Sequence, residues 1–301
     1  MLSILIPIYN QDVRRLAYTL ATQCSKLNIN YQILCFDDGS QEKYKQKNKE
    51  LGFKMNINYT ELPENLGRSK IRNWLGRSAY FENLLFLDGD SSIRDKQFVK
   101  KYIDHLPNEG VIYGGRIYQK KKPAKVQKVL HWKYGMTRET LNAHNRNRHP
   151  YLNFQSNNFL VPAKVFEKFP FSENVEGYGY EDLQYADILK KNAIPIFHIH
   201  NPVNHDGLEN NVTFLKKTKK AIENLIFLES KKQVPETRLQ SFYNRLSHFG
   251  LEKMIFTMLK KSQKLLEKNL LSSRPLVFVF NFWKLYHYMV LKQKKIVPPI
   301  E

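Results

Sequence analysis

The sequence has almost no cysteine. Cys24 and Cys35 are the only two in 301 residues, and each falls within an apolar pattern. This excludes a disulfide framework and every cysteine-based metal spacing, and it fits a reduced, cytoplasmic chain with two buried thiols. The opening residues Met1 to Pro7 lack a basic region and a small-residue cleavage site, so they read as a first strand rather than an export signal. Gly-x-Gly-x-x-Gly and Gly-x-x-x-x-Gly-Lys are both missing, which argues against dinucleotide oxidoreductases and P-loop enzymes. Zinc-finger spacing, an aromatic ribonucleoprotein motif and a basic zipper region are also absent, so nucleic acid is not an expected partner. The aromatic stretch Pro275 to Leu291 is shorter than the roughly 20 clean apolar residues of a membrane span, and Asn281, Lys284 and His287 interrupt it.

Acid is scarce as well: 28 acidic residues stand against 48 lysines and arginines, giving a formal charge of +20. Such an excess attracts polyanions or anionic membrane surfaces. Solvated helix faces account for many of these cations, which form local runs at Lys120 to Lys122, Lys216-Lys217, Lys219-Lys220 and Lys292 to Lys295. The expected location is therefore cytoplasmic, peripheral on the inner face of the plasma membrane, with an anionic lipid surface and a second copy of the chain as candidate partners.

What the chain does have is a set of apolar strands that end in polar residues. Leu84 to Leu87 reads as a buried strand and runs into Asp88-Gly89-Asp90. Leu2 to Ile8 ends at Pro7-Ile8-Tyr9-Asn10, and Tyr31 to Phe36 runs into Asp37-Asp38-Gly39-Ser40. Helical spacings separate them: Val13, Leu16, Ala17, Leu20 and Cys24 share one face, and Ile71, Trp74 and Leu75 another. Strands alternating with helices imply right-handed crossovers and an α/β fold with a mostly parallel sheet flanked by helices. In such sheets the ligand lies beyond the carboxyl ends of the strands. Tyr9 then offers an aromatic face for a base, Asp38 an acceptor for an imide or amide N–H, and Asp88 an acceptor for ribose hydroxyls. Asp90 would carry a hard cation beside a diphosphate, with Gly89 allowing a sharp turn between the two acids. The plain alternative is an acidic turn capping a helix.

Further along, His131-Trp132-Lys133-Tyr134 and the basic Asn142 to Arg148 suit a segment over the site, where Trp132 and Tyr134 either stack on a sugar ring or pack in a core. Asn157 and Asn158, entering a strand, either hydrogen-bond a ligand or form structural amide ladders. Tyr178-Gly179-Tyr180-Glu181-Asp182 is a turn opening a helix on two carboxylates, which the helix dipole favours and keeps ionised. From Asn211 the chain turns helical, with basic amphipathic stretches and an aromatic segment that reads either as interfacial or as packed. Three blocks follow: 1–110 as a nucleotide-binding half, 111–210 as the remaining half of the same domain, and 211–301 as a helical, membrane-apposed or oligomerising region.

Pro7-Ile8-Tyr9-Asn10, Asp37-Asp38-Gly39-Ser40, Asn65-Leu66-Gly67-Arg68 with Arg72-Asn73, and Asp88-Gly89-Asp90 resemble, in order, the motifs of the family 2 glycosyltransferases. The resemblance implies a GT-A fold, a nucleotide-sugar donor such as a UDP-sugar, and inversion at the anomeric carbon. It implies donor contacts at Pro7, Tyr9, Asn10, Asp38, Gly67, Arg68, Arg72, Asp88 and Gly89. It also implies Mn²⁺ or Mg²⁺ on Asp90, with His205 as a second ligand, and Asp182 as catalytic base beside Glu181. The acceptor would be a saccharide or lipid-linked hydroxyl, in surface polysaccharide or glycoconjugate synthesis. Two other readings stand beside it: a sugar nucleotidyltransferase, whose expected glycine-rich N-terminal loop is missing, and a non-catalytic basic protein binding nucleic acid or lipid.

Overall fold

The computed structural model describes residues 1–173 and 178–293; Lys294 and Lys295, the end of the last basic run, lie outside them. The described residues fall into two compact units. One comprises 1–118, 140–173 and 181–207, and the other 119–139, 178–180 and 208–293. The segment Gln119–Glu139, placed by sequence in the middle block, thus clusters with the C-terminal helices.

The first unit is built on ten strands: β1 (Leu2–Ile8), β2 (Tyr31–Asp37), β3 (Ile57–Glu61), β4 (Asn83–Leu87), β5 (Ser91–Ser92), β6 (Val111–Tyr113), β7 (Arg116–Ile117), β8 (Asn158–Pro162), β9 (Ile196–His198) and β10 (Val203–His205). Seven of them form one sheet in the order β3-β2-β1-β4-β8-β6-β9, while β5-β10-β7 form a small second sheet. The pairs β1–β2, β2–β3, β1–β4 and β6–β9 are parallel; β8 runs antiparallel to both β4 and β6. This mixed, mostly parallel sheet flanked by helices is the GT-A architecture the sequence implies.

Strands buried on both faces must be apolar throughout, which is why Leu2, Ile4, Leu5 and Ile6 are all fully buried. One face packs on the helices Arg14–Lys26 and Phe98–Ile103. The other packs on Arg68–Arg77, Ala163–Lys168 and Glu181–Lys191, through an aromatic layer in which Phe86 stacks on Phe159 at 4.8 Å and Phe171 on Tyr185 at 4.1 Å. Register sets the functional edge: Leu87 pairs with Asn158, so Asp88 leaves β4 where the chain enters β8.

The second unit is helical, with long helices at Asn211–Ser230, Arg238–His248, Glu252–Leu270 and Val277–Gln293. A capping box between Thr237 and Gln240 opens the second of these. The aromatic segment mostly packs within this unit, with Phe280, Trp283 and Tyr288 at 3% exposure or less. Among the described residues, no helix is long and apolar enough to cross a membrane.

Candidate active site

Charged side chains from four places in the sequence converge at the carboxyl ends of β1, β2 and β4. The Asp88 backbone N–H donates to Asn157 O at 3.0 Å, fixing the acid against the start of β8. Its Oδ1 accepts from Arg72 Nη2 at 2.6 Å, and Arg116 Nη2 lies 3.6 Å from its Oδ2. Arg72 projects from the helix Arg68–Arg77 and is only 3% exposed, so its charge is matched inside the protein.

Asp90 is held from the other side. Asp206 N–H donates to Asp90 O at 2.9 Å, and the antiparallel pairing of Ser91 with His205 brings that histidine over the acid. His205 Nδ1 stands 3.3 Å from Asp90 Oδ1, a buried oxygen that has no hydrogen-bond partner among the described residues. Gly207 completes the clamp, because a Cβ there would fall 2.3 Å from Asp90 Oδ2. Burial alone would raise the Asp90 carboxyl, yet His205, Arg116 and Arg68 together hold it well below the ordinary carboxylate range. Gly89 is needed for close approach rather than for a left-handed turn: a Cβ would sit 3.1 Å from Pro7 O at the end of β1.

Glu181 and Asp182 open the helix Glu181–Lys191, after a turn with positive φ at Gly179 (89°) and Tyr180 (68°). A left-handed tyrosine is strained, and such strain gathers at functional sites. Glu181 Oε1 accepts from Arg68 Nη1 at 2.8 Å; burial opposes its charge, but Arg68 and Arg72 prevail and lower its pKa. Among the described residues no ion pair is made to the Asp182 carboxylate, although the Arg72 charge acts on it from farther away. Its Oδ1 accepts from Ser156 Oγ at 2.5 Å, and burial together with the Glu181 charge pushes its pKa up to about 6. The sequence pointed only to the helix dipole, which would make Asp182 a weak base; the surrounding protein and its acidic neighbour act in the opposite direction and are larger.

Several expected contacts are occupied by the fold itself. Asp38 accepts Leu66 N–H at 2.6 Å and Gly67 N–H at 3.1 Å, one on each oxygen, so it shapes the turn that starts the Arg68 helix rather than standing open to a base. Asn10, at φ 55°, accepts Gln41 N–H at 2.8 Å and donates its own N–H to Ser40 Oγ at 2.7 Å, tying the β1 end to the β2 end. Tyr9 projects there with 55% exposure. Asn158 is fully engaged: Nδ2 donates to Gly115 O and Asn201 O at 3.0 and 2.8 Å, and Oδ1 accepts from Tyr102 Oη at 2.7 Å. It follows the amide-ladder alternative. Asn157 differs, because its buried Nδ2 has no partner among the described residues. His198, neutral and buried, accepts from Arg146 Nε and bonds Pro150 O, a structural placement.

Trp132 and Tyr134 belong to the helical unit. Trp132 Nε1 donates to Gln119 O at 2.7 Å, and Tyr134 packs edge-on against Phe280 with ring centroids 5.2 Å apart, the core-packing alternative. Sequence reading did not single out Ser156, Arg116 or Gly207 as site residues. Nothing local marks them, since each meets its acid across 26 or more positions of sequence.

In an α/β sheet the groups gathered beyond the carboxyl ends of the strands line the place where a ligand binds. The family model described as Glycosyl transferase family 2 matches residues 3–168, and the chain belongs to that family. It is thus a glycosyltransferase rather than a nucleotidyltransferase or a non-catalytic binding protein. Solved structures similar to it share its fold at low identity. S. aureus TarS matches with a TM-score of 0.51 and 18% identity over 75% of this chain, which spans 39% of that TarS chain. The mannosyltransferase PcManGT from Pyrobaculum calidifontis, in complex with GDP-Man and Mn2+, matches with a TM-score of 0.56 and 10% identity, covering 98% of this chain and 86% of its own. Glucosyl-3-phosphoglycerate synthase from Mycobacterium tuberculosis, in complex with Mn2+, UDP and glucosyl-3-phosphoglycerate, matches with a TM-score of 0.51 and 14% identity over 79% of this chain and 81% of that one. No curated protein sequence matches the chain significantly.

Proposed function

We propose that this chain is an inverting glycosyltransferase that moves a sugar from a UDP-sugar to a hydroxyl of a saccharide or lipid-linked acceptor, in surface polysaccharide or glycoconjugate synthesis. The observation that carries this reading is the unequal treatment of the site's carboxylates. Asp88 and Glu181 are neutralised by arginines, whereas Asp182 is held by a single hydroxyl with its pKa near 6. That leaves one carboxylate poised as a proton acceptor close to working pH and none free to act as a nucleophile on the sugar, the requirement for single displacement. Asp182 then takes the proton of the acceptor hydroxyl as it attacks the anomeric carbon from the face opposite the nucleotide.

Asp90 and His205 would hold a divalent cation. Asp90 Oδ1 is an unsatisfied buried anion with an imidazole nitrogen 3.3 Å away, and this carboxylate and imidazole set suits Mn²⁺. Among the described residues no group of three or more such side chains converges, so the donor diphosphate and water would complete the sphere. When bound, the ion supplies neutralisation of the charge that develops on the leaving nucleotide. Arg68, half-exposed beside Glu181, adds positive charge near that diphosphate. Tyr9 packs on the base, with Pro7, Asn10 and the Asp38-held turn through Gly67 shaping its loops; Asp88, fixed by Arg72, faces the ribose; and Asn157 Nδ2 donates to a ligand oxygen. A thermal-shift series of nucleotide sugars with Mn²⁺ tests this. The true donor raises Tm only with the metal and releases its nucleoside diphosphate in the presence of acceptor, with a gain of about 2.7 kcal/mol at a hundred times Kd. A chain that no nucleotide sugar stabilises, with Mn²⁺ or Mg²⁺, refutes the proposal.

A further inference from the structure

The helix Glu252–Leu270 has two faces, and only one of them is used by the fold. Leu259 and Leu270 are buried, with Ile255, Phe256 and Leu266 packed beside them. On the opposite side Met254, Met258 and Leu265 stand at 61%, 50% and 70% exposure. At positions i, i+4 and i+11 they align along one stripe, roughly 16 Å long from end to end. The remaining exposed positions are Thr257 and five lysines: Lys253, Lys260, Lys261, Lys264 and Lys268. No acid shares this face. The helix has two, and both turn to neighbours: Glu252 accepts from Tyr243 Oη at 2.9 Å, and Glu267 accepts from Trp283 Nε1 at 3.3 Å.

We propose that this face lies on an anionic lipid bilayer, with the Met254, Met258 and Leu265 stripe inserted at the headgroup boundary and the lysines on phosphate groups. Flexible apolar side chains beside a continuous bank of ammonium groups form the pattern of a helix lying in the interface plane. The charge excludes a second copy as the natural occupant, since two such faces would oppose lysine to lysine in a chain carrying +20 overall. The assignment also moves the membrane contact away from the aromatic helix Val277–Gln293, whose large rings are mostly consumed by packing. It stands on the helical unit alone and does not rest on the reading of the active site.

Flotation of the full chain with vesicles of phosphatidylcholine alone, or with a third phosphatidylglycerol, tests it. Binding is expected only with the anionic lipid and is lost in high salt. Met258→Glu with Leu265→Glu, both at exposed positions, weakens it at least tenfold while leaving the unfolding curve and glycosyl transfer to a soluble acceptor unchanged. Lys260→Gln, Lys261→Gln and Lys264→Gln together weaken it by about two orders of magnitude, at about fivefold per lysine. Equal binding of variants and wild type, no binding by wild type, or equal binding to the neutral vesicle overturns the proposal. So does a wild-type dimer in analytical ultracentrifugation that the Met258→Glu, Leu265→Glu variant abolishes, for then the face belongs to a second copy.

Discussion

Asp88 with Asp90 follows a strand, and Glu181 with Asp182 begins a helix; on paper both are acidic doublets at the end of an apolar element. In the folded chain they part company. Every acid of the first doublet is matched by a cation or imidazole, with Arg72 and Arg116 on Asp88 and His205 on Asp90. In the second doublet Arg68 goes to Glu181, and Asp182 is left between a serine hydroxyl and its own charged neighbour. The first arrangement keeps acids ionised and suits the holding of charge. The second raises a proton affinity and suits proton transfer. Residue type does not separate these duties; the counter-charges that folding delivers to each acid do.

The sharpest way to break the comparison is to neutralise one acid of each doublet. Asp182→Asn is expected to cut turnover about a thousandfold while keeping the Mn²⁺-dependent thermal shift. Asp90→Asn should lose that shift as well as turnover. If Asp182→Asn turns over near normally, or if Asp90→Asn still responds to the metal, the two assignments fall separately. Next in size is the arginine that underlies both doublets. Arg72→Met leaves Asp88 without its close partner and should cost about 3 kcal/mol in urea unfolding, because an unpaired partly buried charge is more costly than the pair it came from. An unchanged midpoint would mean that Arg116 alone suffices for Asp88.

The smallest effects concern pH. The working form of Asp182 is the ionised one, so turnover should fall as pH drops through about 6. Glu181→Gln removes a neighbouring negative charge and should move that acid limb to lower pH. Ser156→Ala removes a hydrogen bond that favours the ionised form and should move it to higher pH, with a drop in turnover of about tenfold or less at neutral pH. Opposite displacements of the limb in the two variants are the signature; a limb that neither variant moves belongs to another group.

Much of the sheet was legible because parallel strands shielded on both sides are apolar over most of their length, and residues 4–8, 33–36 and 84–87 have that character. Helix limits were less so. The face that begins at Val13 in the sequence belongs to a helix that starts only at Arg14, and the polar helix Glu42–Asn48, which runs into a 3₁₀ turn over Lys49–Phe53, has no such face to announce it. The small sheet was not legible at all, since strands of two or three residues such as Ser91–Ser92 and Val203–His205 have no room for a periodic signal. His205 was therefore expected on a loop. Acidic motifs announced themselves by standing at strand and helix ends, and the resemblance supplied Arg68, Arg72 and His205; Arg116, Ser156 and Gly207 stayed hidden because they reach the acids only through tertiary pairing. The exposed apolar stripe of the helix Glu252–Leu270 was hidden for a related reason: a helix with apolar residues on two sides gives one blended pattern until packing reveals which side is taken.

The pairing of β5 with β10 joins Asp90 to a strand more than a hundred positions downstream, with Gly207 seated on the carboxylate behind it. A nascent polypeptide emerging from the ribosome therefore has Asp90 without its neighbouring imidazole until this late closure has formed. A chain cut short before His205 leaves that carboxylate open to water, so the last strand of the small sheet decides the surroundings of an acid laid down far earlier in synthesis.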